Sequence, residues 1–196
     1  MARAPIPPLA ISLGDPAGIG PEVITKCWDH RHEFGLPPFV AIGDGHSISA
    51  VWDGPIEVVD DPHQADAAFD HALPLIHVSA ADADLPGHPT VSGAHASLDA
   101  LELAVGLARS GSAGAVVTGP VSKEQLYAIG FQHPGQTEFV AERCGVAPGN
   151  VVMMLAGATL CSGKWVVTGT VRSVAPTSII TTLPGATPQR SATNSV

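Results

Sequence analysis

At 196 residues and 20.0 kDa, with 45% hydrophobic residues, the chain has material for one substantial core, or for a domain plus an extension. A net charge of −9 weighs against a nucleic-acid surface or an anionic-membrane surface. The three cysteines, Cys27, Cys144 and Cys161, form neither a CxxC pair nor a disulfide framework, which points to a reducing cytoplasm; no apolar stretch approaches membrane-spanning length.

The N-terminal MARAPIPPLAISL is too short and too interrupted by proline to read as a signal peptide. Leu9 to Leu13 is a short apolar run with a β-branched centre and predicts a buried strand. Gly14 to Gly20 is a loop, and Pro21 occupies a natural first helical position with Glu22 favoured by the helix dipole. That helix is expected to run to about His30 with Val23, Cys27 and Ile24 inward. Phe39 to Ile42 predicts the next strand, turned by Gly43-Asp44-Gly45 into a helix through Trp52. Two further strands are expected at Ile56–Val59 and Leu75–Val78, followed by a long loop from Ser79 to Gly93. Ala94 to Ser110 carries Leu98, Leu101, Val105 and Ala108 at helical spacing, with Gly111 as a stop. Ala115 to Val117 and Val151 to Leu155 predict the last strands. Strands alternating with helices give an α/β fold, a largely parallel sheet covered by helices.

The stretch from Val116 to Cys144 concentrates the features that suit an anion. An apolar run breaks at Thr118-Gly119-Pro120 and enters a helix near Ser122, with Lys123 in its first turn. A second helix opens at Gln136-Thr137-Glu138 after the punctuated turn Gly130–Gly135. A strand that ends in a glycine turn before a helix presents free N–H groups and a positive dipole end. The plainer reading is a common strand–turn–helix connection with Lys123 solvated. GDPAGIGP, at Gly14 to Pro21, is not the dinucleotide fingerprint, because Val23 stands where the third glycine belongs; nor does a GK[ST] follow. It reads as a tight turn, or as a loop over a cleft at the carboxyl ends of parallel strands. His30, His32, His63, His71 and His77 match no metal-ligand spacing, so hydrogen-bonded or solvated histidines are expected and no metal ligand is assigned. No nucleophile pattern stands out, and the catalytic residues are left open.

All 18 acidic residues lie at or before Glu142 and all nine histidines at or before His133; beyond them come only Arg143, Lys164, Arg172 and Arg190 as charges. This shift divides the chain into an α/β portion, residues 1–160, and an atypical tail, 161–196, frame-shifted or disordered in character.

Three segments carry a family resemblance: GDPAGIGPEVI from Gly14, VVTGPVSKEQLYAIGFQHPGQTEFVAER from Val116, and VVMMLAG from Val151. Over about residues 8–160 the chain resembles the N-terminal half of the 4-hydroxythreonine-4-phosphate dehydrogenase family of vitamin B6 (pyridoxal 5'-phosphate) biosynthesis. The resemblance implies an incomplete isocitrate/isopropylmalate dehydrogenase-like fold, a homodimer, and a phosphorylated small-molecule substrate. It implies NAD-dependent oxidation of a secondary alcohol followed by loss of CO₂, with a divalent metal (zinc, magnesium or cobalt) held by three histidines. The family's GHTEF motif falls on Gly135–Phe139, so Gln136 and Thr137 inherit its substrate-binding positions, and Gln136 replaces the histidine. After Leu160 the family's first metal histidine is missing: Cys161 to Thr170 reads CSGKWVVTGT, and no histidine follows. The expectation is a truncated member that binds neither NAD nor the metal. A dehydrogenase of a phosphorylated sugar acid is one alternative, and a non-catalytic phosphate-binding or dimerisation module is another.

Overall fold

The computed structural model describes residues 6–78, 80, 86–147, 150 and 151, with the backbone of 155–156, 161–162 and 180–181. Strands β1 (Leu9–Ser12), β2 (Phe39–Gly43), β3 (Ile56–Val58), β4 (Leu73–His77) and β5 (Ala115–Thr118) pair in parallel in the order β3-β4-β2-β1-β5. The connecting helices are α1 (Gly20–Asp29), α2 (Gly45–Ser49), α3 (Ala65–Ala68), α4 (Val91–Ser110), α5 (Lys123–Ala128) and α6 (Gln136–Arg143). The backbone also forms a two-residue hairpin of β6 (Leu155–Ala156) with β7 (Cys161–Ser162), and β8 (Ile180–Thr181) runs antiparallel to Val116–Val117. The parallel α/β expectation therefore stands. The division at residue 160 lies largely outside the described residues.

Central strand β2 is buried at all five positions, as a strand covered on both faces should be. Alternation along the strands sets two main core clusters, beside a smaller third of Val40, Val59 and Ala65. Ala10, Ile42 and Val116 face Leu101, Ala104 and Val105 of α4 together with Phe139 and Val140 of α6. Leu13, Phe39, Ala41, Leu73 and Leu75 face Ile24 and Trp28 of α1, Ile48 of α2, and Phe69. Burial of each such Leu or Val contributes about 1.5–3 kcal/mol before chain entropy is counted.

Four boundaries or faces differ from the sequence reading. Helix α1 turns Pro21, Ile24, Thr25 and Trp28 inward, while Val23 is 48% exposed and Cys27 half-buried. Trp28, one turn beyond Ile24, sets the buried stripe, and at 100° per residue Val23 falls off it. Helix α2 stops at Ser49 because Trp52 leaves the helical path to meet Trp28 edge-on at 5.7 Å, with its indole N–H donating to Asp29 at 3.2 Å. Helix α4 starts at Val91, three residues before Ala94, because Thr90 Oγ1 caps it by accepting from Gly93 N–H at 3.0 Å. Strand β4 begins at Leu73 rather than Leu75, since Leu73 N–H donates to Pro55 O at 2.8 Å and opens the pairing with β3. Of the strand expected at Val151–Leu155, residues 152–154 lie outside the described residues, as do 79 and 81–85 of the long loop.

Candidate functional site

From β1 the chain builds outward through β2 and β4 on one side and adds β5 on the other. The topological switch point is therefore the crevice at the carboxyl ends of β1 and β5, where ligands bind in open parallel sheets. Both glycine-rich motifs of the sequence meet there. Gly119 N–H donates to Ser12 O at 2.8 Å, and Asp15 N–H donates to Pro120 O at 2.9 Å. Gly14 sits at φ +78°, and a Cβ there would overlap the Pro120 carbonyl; a Cβ on Gly119 would overlap Leu13 O. The two turns thus require backbone without side chains. Asp15 organises its own loop by accepting from Ala17 N–H at 3.0 Å, and Gly87 N–H reaches Ala17 O at 2.7 Å from the segment before α4.

The second part of the site comes from α5 and α6. Ser122 caps α5, its hydroxyl accepting from Gln125 N–H at 3.4 Å. Helix α6 opens on Gly135, extended at φ −170°, with no side-chain cap on the N–H groups of its first turn. Lys123 lies beside that opening: its ammonium is 3.9 Å from the point a Cβ on Gly135 would occupy. Glu138 opposes it with a carboxylate oxygen 3.2 Å from the same point. Gln136 is half-buried, and its amide donates to Gly119 O at 3.1 Å, which ties α6 to the turn after β5. Thr137, also half-buried, follows in the same first turn.

Arg143 at the far end of α6 holds this helix in place. Its Nε donates to both oxygens of Glu102 on α4, at 2.7 and 2.8 Å, and its guanidinium lies 4.7 Å over the Phe139 ring. The Glu102 hydrogen bond pushes the Arg143 pKa further up. Neither thiol among the described residues is activated. Burial pushes Cys27 up, and burial pushes Cys144 up against the opposing charge of Arg109.

Among the described residues, two histidines pair with surface carboxylates, one packs on aromatic rings and two join a cluster. His30 meets Glu33 at 2.9 Å and His71 meets Glu57 at 2.8 Å, both exposed. His133 packs edge-on against Phe131 and Phe139. His77, by contrast, is brought beside Asp44 and His46 by strand register, a contact that sequence spacing alone does not reveal.

The profile of the family described as "Pyridoxal phosphate biosynthetic protein PdxA" matches residues 37–174. This chain belongs to that family. It is 49% identical over 153 residues to the 4-hydroxythreonine-4-phosphate dehydrogenase of Zymomonas mobilis, a match covering 78% of this chain and 46% of that protein. The chain thus spans about half the length of the relative it matches. Its fold superposes on the crystal structure of 4-hydroxythreonine-4-phosphate dehydrogenase from Klebsiella pneumoniae with TM-score 0.70 at 26% identity, covering 80% of this chain and 50% of that one. A terephthalate 1,2-cis-dihydrodiol dehydrogenase from Burkholderia xenovorans gives 0.61 at 27% identity, covering 81% and 47%. The PdxA members share the isocitrate/isopropylmalate dehydrogenase-like fold expected from the sequence.

Proposed function

We propose that this chain carries the phosphate-receiving side of a 4-hydroxythreonine-4-phosphate dehydrogenase site. The observation that carries the reading is the uncapped first turn of α6, opened beside the Lys123 ammonium and held at the β1–β5 crevice by the Gln136 bond to Gly119 O. The N–H groups of that turn and Lys123 supply donors and positive charge for a substrate phosphate, and the Thr137 hydroxyl supplies one more donor. Gln136 positions the turn and offers a neutral amide where the family motif has a histidine. The lineage would add the chemistry: bound in the complete family architecture, NAD would supply a hydride acceptor for a secondary alcohol, whose oxidation to a β-keto acid would allow loss of CO₂ in the route to pyridoxal 5'-phosphate.

This chain does not supply the three-histidine centre that the resemblance implies, and no NAD-binding residue is assigned in it. The resemblance places three metal histidines after Leu160, whereas every histidine of this chain lies at or before His133. We assign no step to NAD or metal within this chain, and place catalysis, homodimer formation and a cytoplasmic setting with the complete family architecture. Among the described residues no helix is long and apolar enough to cross a membrane.

NMR titration of the full chain with a phosphorylated hydroxy acid tests the reading. Shifts confined to residues 118–139, with no NAD reduction, are expected; shifts elsewhere, or none at several times a roughly millimolar Kd, would refute it. A second reading, a dehydrogenase acting on a different hydroxylated substrate such as a phosphorylated sugar acid, is favoured by Gln136 in place of histidine. A substrate panel with the binding assay separates the two.

A further inference from the structure

We propose that Asp44, His46 and His77 form a binding site for a zinc-class divalent transition ion at the carboxyl edge of β2 and β4. Strand register creates it. Gly43 pairs with His77, and Val78 N–H donates to Gly43 O at 2.9 Å, so the residue that leaves β2 stands beside the last side chain of β4. The next step of the chain starts α2, which folds His46 back over Asp44. His46 Nδ1 lies 3.1 Å from Asp44 Oδ1, and the His46 and His77 rings face each other edge-on at 5.8 Å. One ligand atom from each of the three residues lies within 4.8 Å of the others.

The spacing suits a metal of short bonds. With metal–ligand bonds of about 2.0–2.1 Å, two ligand atoms of a tetrahedral site stand about 3.3 Å apart. The Asp44–His46 edge is already at that length. From the 4.8 Å limit His77 needs to close by at most roughly 1.5 Å, which two exposed imidazoles achieve by side-chain rotation. Asp44 is 2% exposed, so its carboxylate is fixed in direction while the two rings move to meet it. Two imidazoles and one carboxylate select borderline transition ions over Mg²⁺ or Ca²⁺, which take oxygen donors. Three protein ligands leave a position open to water or an anionic oxygen. In the metal-free arrangement His77 Nδ1 accepts from Gly45 N–H at 3.1 Å. Capture through that nitrogen exchanges the bond for the metal and leaves an N–H that water can reach.

This site is distinct from the three-histidine centre implied by the family resemblance, whose first ligand would fall beyond Leu160. It uses residues from two neighbouring strand ends, all at or before His77 in the sequence.

The test is zinc uptake by the full chain, measured by competition with a chromophoric chelator. A parallel Co²⁺ titration follows the visible d–d bands of a low-coordinate site, with imidazole NMR signals assigned. One ion per chain is expected, with the His46 and His77 ring signals shifted. His46→Gln and His77→Gln should each weaken uptake at least tenfold with unchanged circular dichroism, since His46 is 81% exposed. His71→Gln, on the exposed Glu57 pair, should change nothing. Absence of stoichiometric uptake by the wild-type chain, or uptake that survives the His46→Gln/His77→Gln double variant, would overturn the assignment.

Discussion

Replacing Gly14 by alanine should destabilise the domain more than replacing Gly111, although both glycines have nearly the same φ. Gly14 has φ +78° and Gly111 φ +83°, so each alanine incurs the left-handed penalty of about 1–2 kcal/mol. Their surroundings differ. A Cβ on Gly111 meets nothing within 4 Å, whereas one on Gly14 overlaps the Pro120 carbonyl. Relief of that overlap moves the turn after β5 and breaks the Asp15 N–H bond to Pro120 O, which costs about 1 kcal/mol more. Total losses of about 1–2 kcal/mol for Gly111→Ala and about 2–3 kcal/mol for Gly14→Ala follow. Urea denaturation of the full chain, monitored by circular dichroism, measures both. Amide exchange at Asp15 provides a local readout, since its N–H should exchange faster only in Gly14→Ala. Equal destabilisation by the two substitutions, with Asp15 still protected, would show that the two glycine turns are not interlocked as described.

Thr137→Ala should weaken binding of a phosphorylated hydroxy acid by about 1 kcal/mol, or roughly fivefold, in the NMR titration; an unchanged Kd would remove the hydroxyl from the site. Phe139→Ala, at a residue only 2% exposed, should cost about 3–5 kcal/mol in denaturation, and a loss under about 1 kcal/mol would contradict its place in the core. A double-mutant cycle on Glu102→Gln and Arg143→Gln should give a coupling of about 0.5–1 kcal/mol, the range for a well-aligned but partly exposed pair, and should shrink in high salt. Burial holds the Cys27 and Cys144 thiols above their usual range, so the fold favours the neutral form. That contribution is complete below the unfolded thiol range near about 8.5 and is lost as pH rises past it. The Cys27→Ser/Cys144→Ser variant should therefore show a shallower fall in stability between about pH 8 and 10 than the parent chain.

The sequence made the parallel sheet legible because each strand is a short apolar run bounded by glycine or proline, and because both crevice turns carry their glycines in plain view. It was weaker wherever a long-range contact decided the outcome. Trp52 ends α2 by reaching a residue 24 positions earlier, Trp28, and no local signal announces that. The Thr90 cap has a local signal, a threonine three residues before Gly93, but the stronger apolar periodicity further along α4 masks it. The motif resemblance assigns Gln136 and Thr137 to a substrate-binding turn, but it does not announce the bond from Gln136 to Gly119, which joins residues 17 apart through the fold. Asp44, His46 and His77 are separated by 2 and 31 residues, a pattern no helical or loop spacing connects. Only the pairing of Gly43 with His77 makes them neighbours.

The amide of Gln136 has a consequence for how this mouth of the sheet responds to acidity. A histidine in that position would gain or lose a proton near neutrality and impose its own titration on any anion held there. A carboxamide has no proton to exchange over that range, so its bond to Gly119 O persists unchanged from mildly acidic to mildly alkaline solution. On the proposed phosphate-receiving reading, Gln136 adds no titration of its own to that of a phosphate ester, whose second ionisation lies near about 6. In this chain the turn after β5 is latched by a group that is blind to pH.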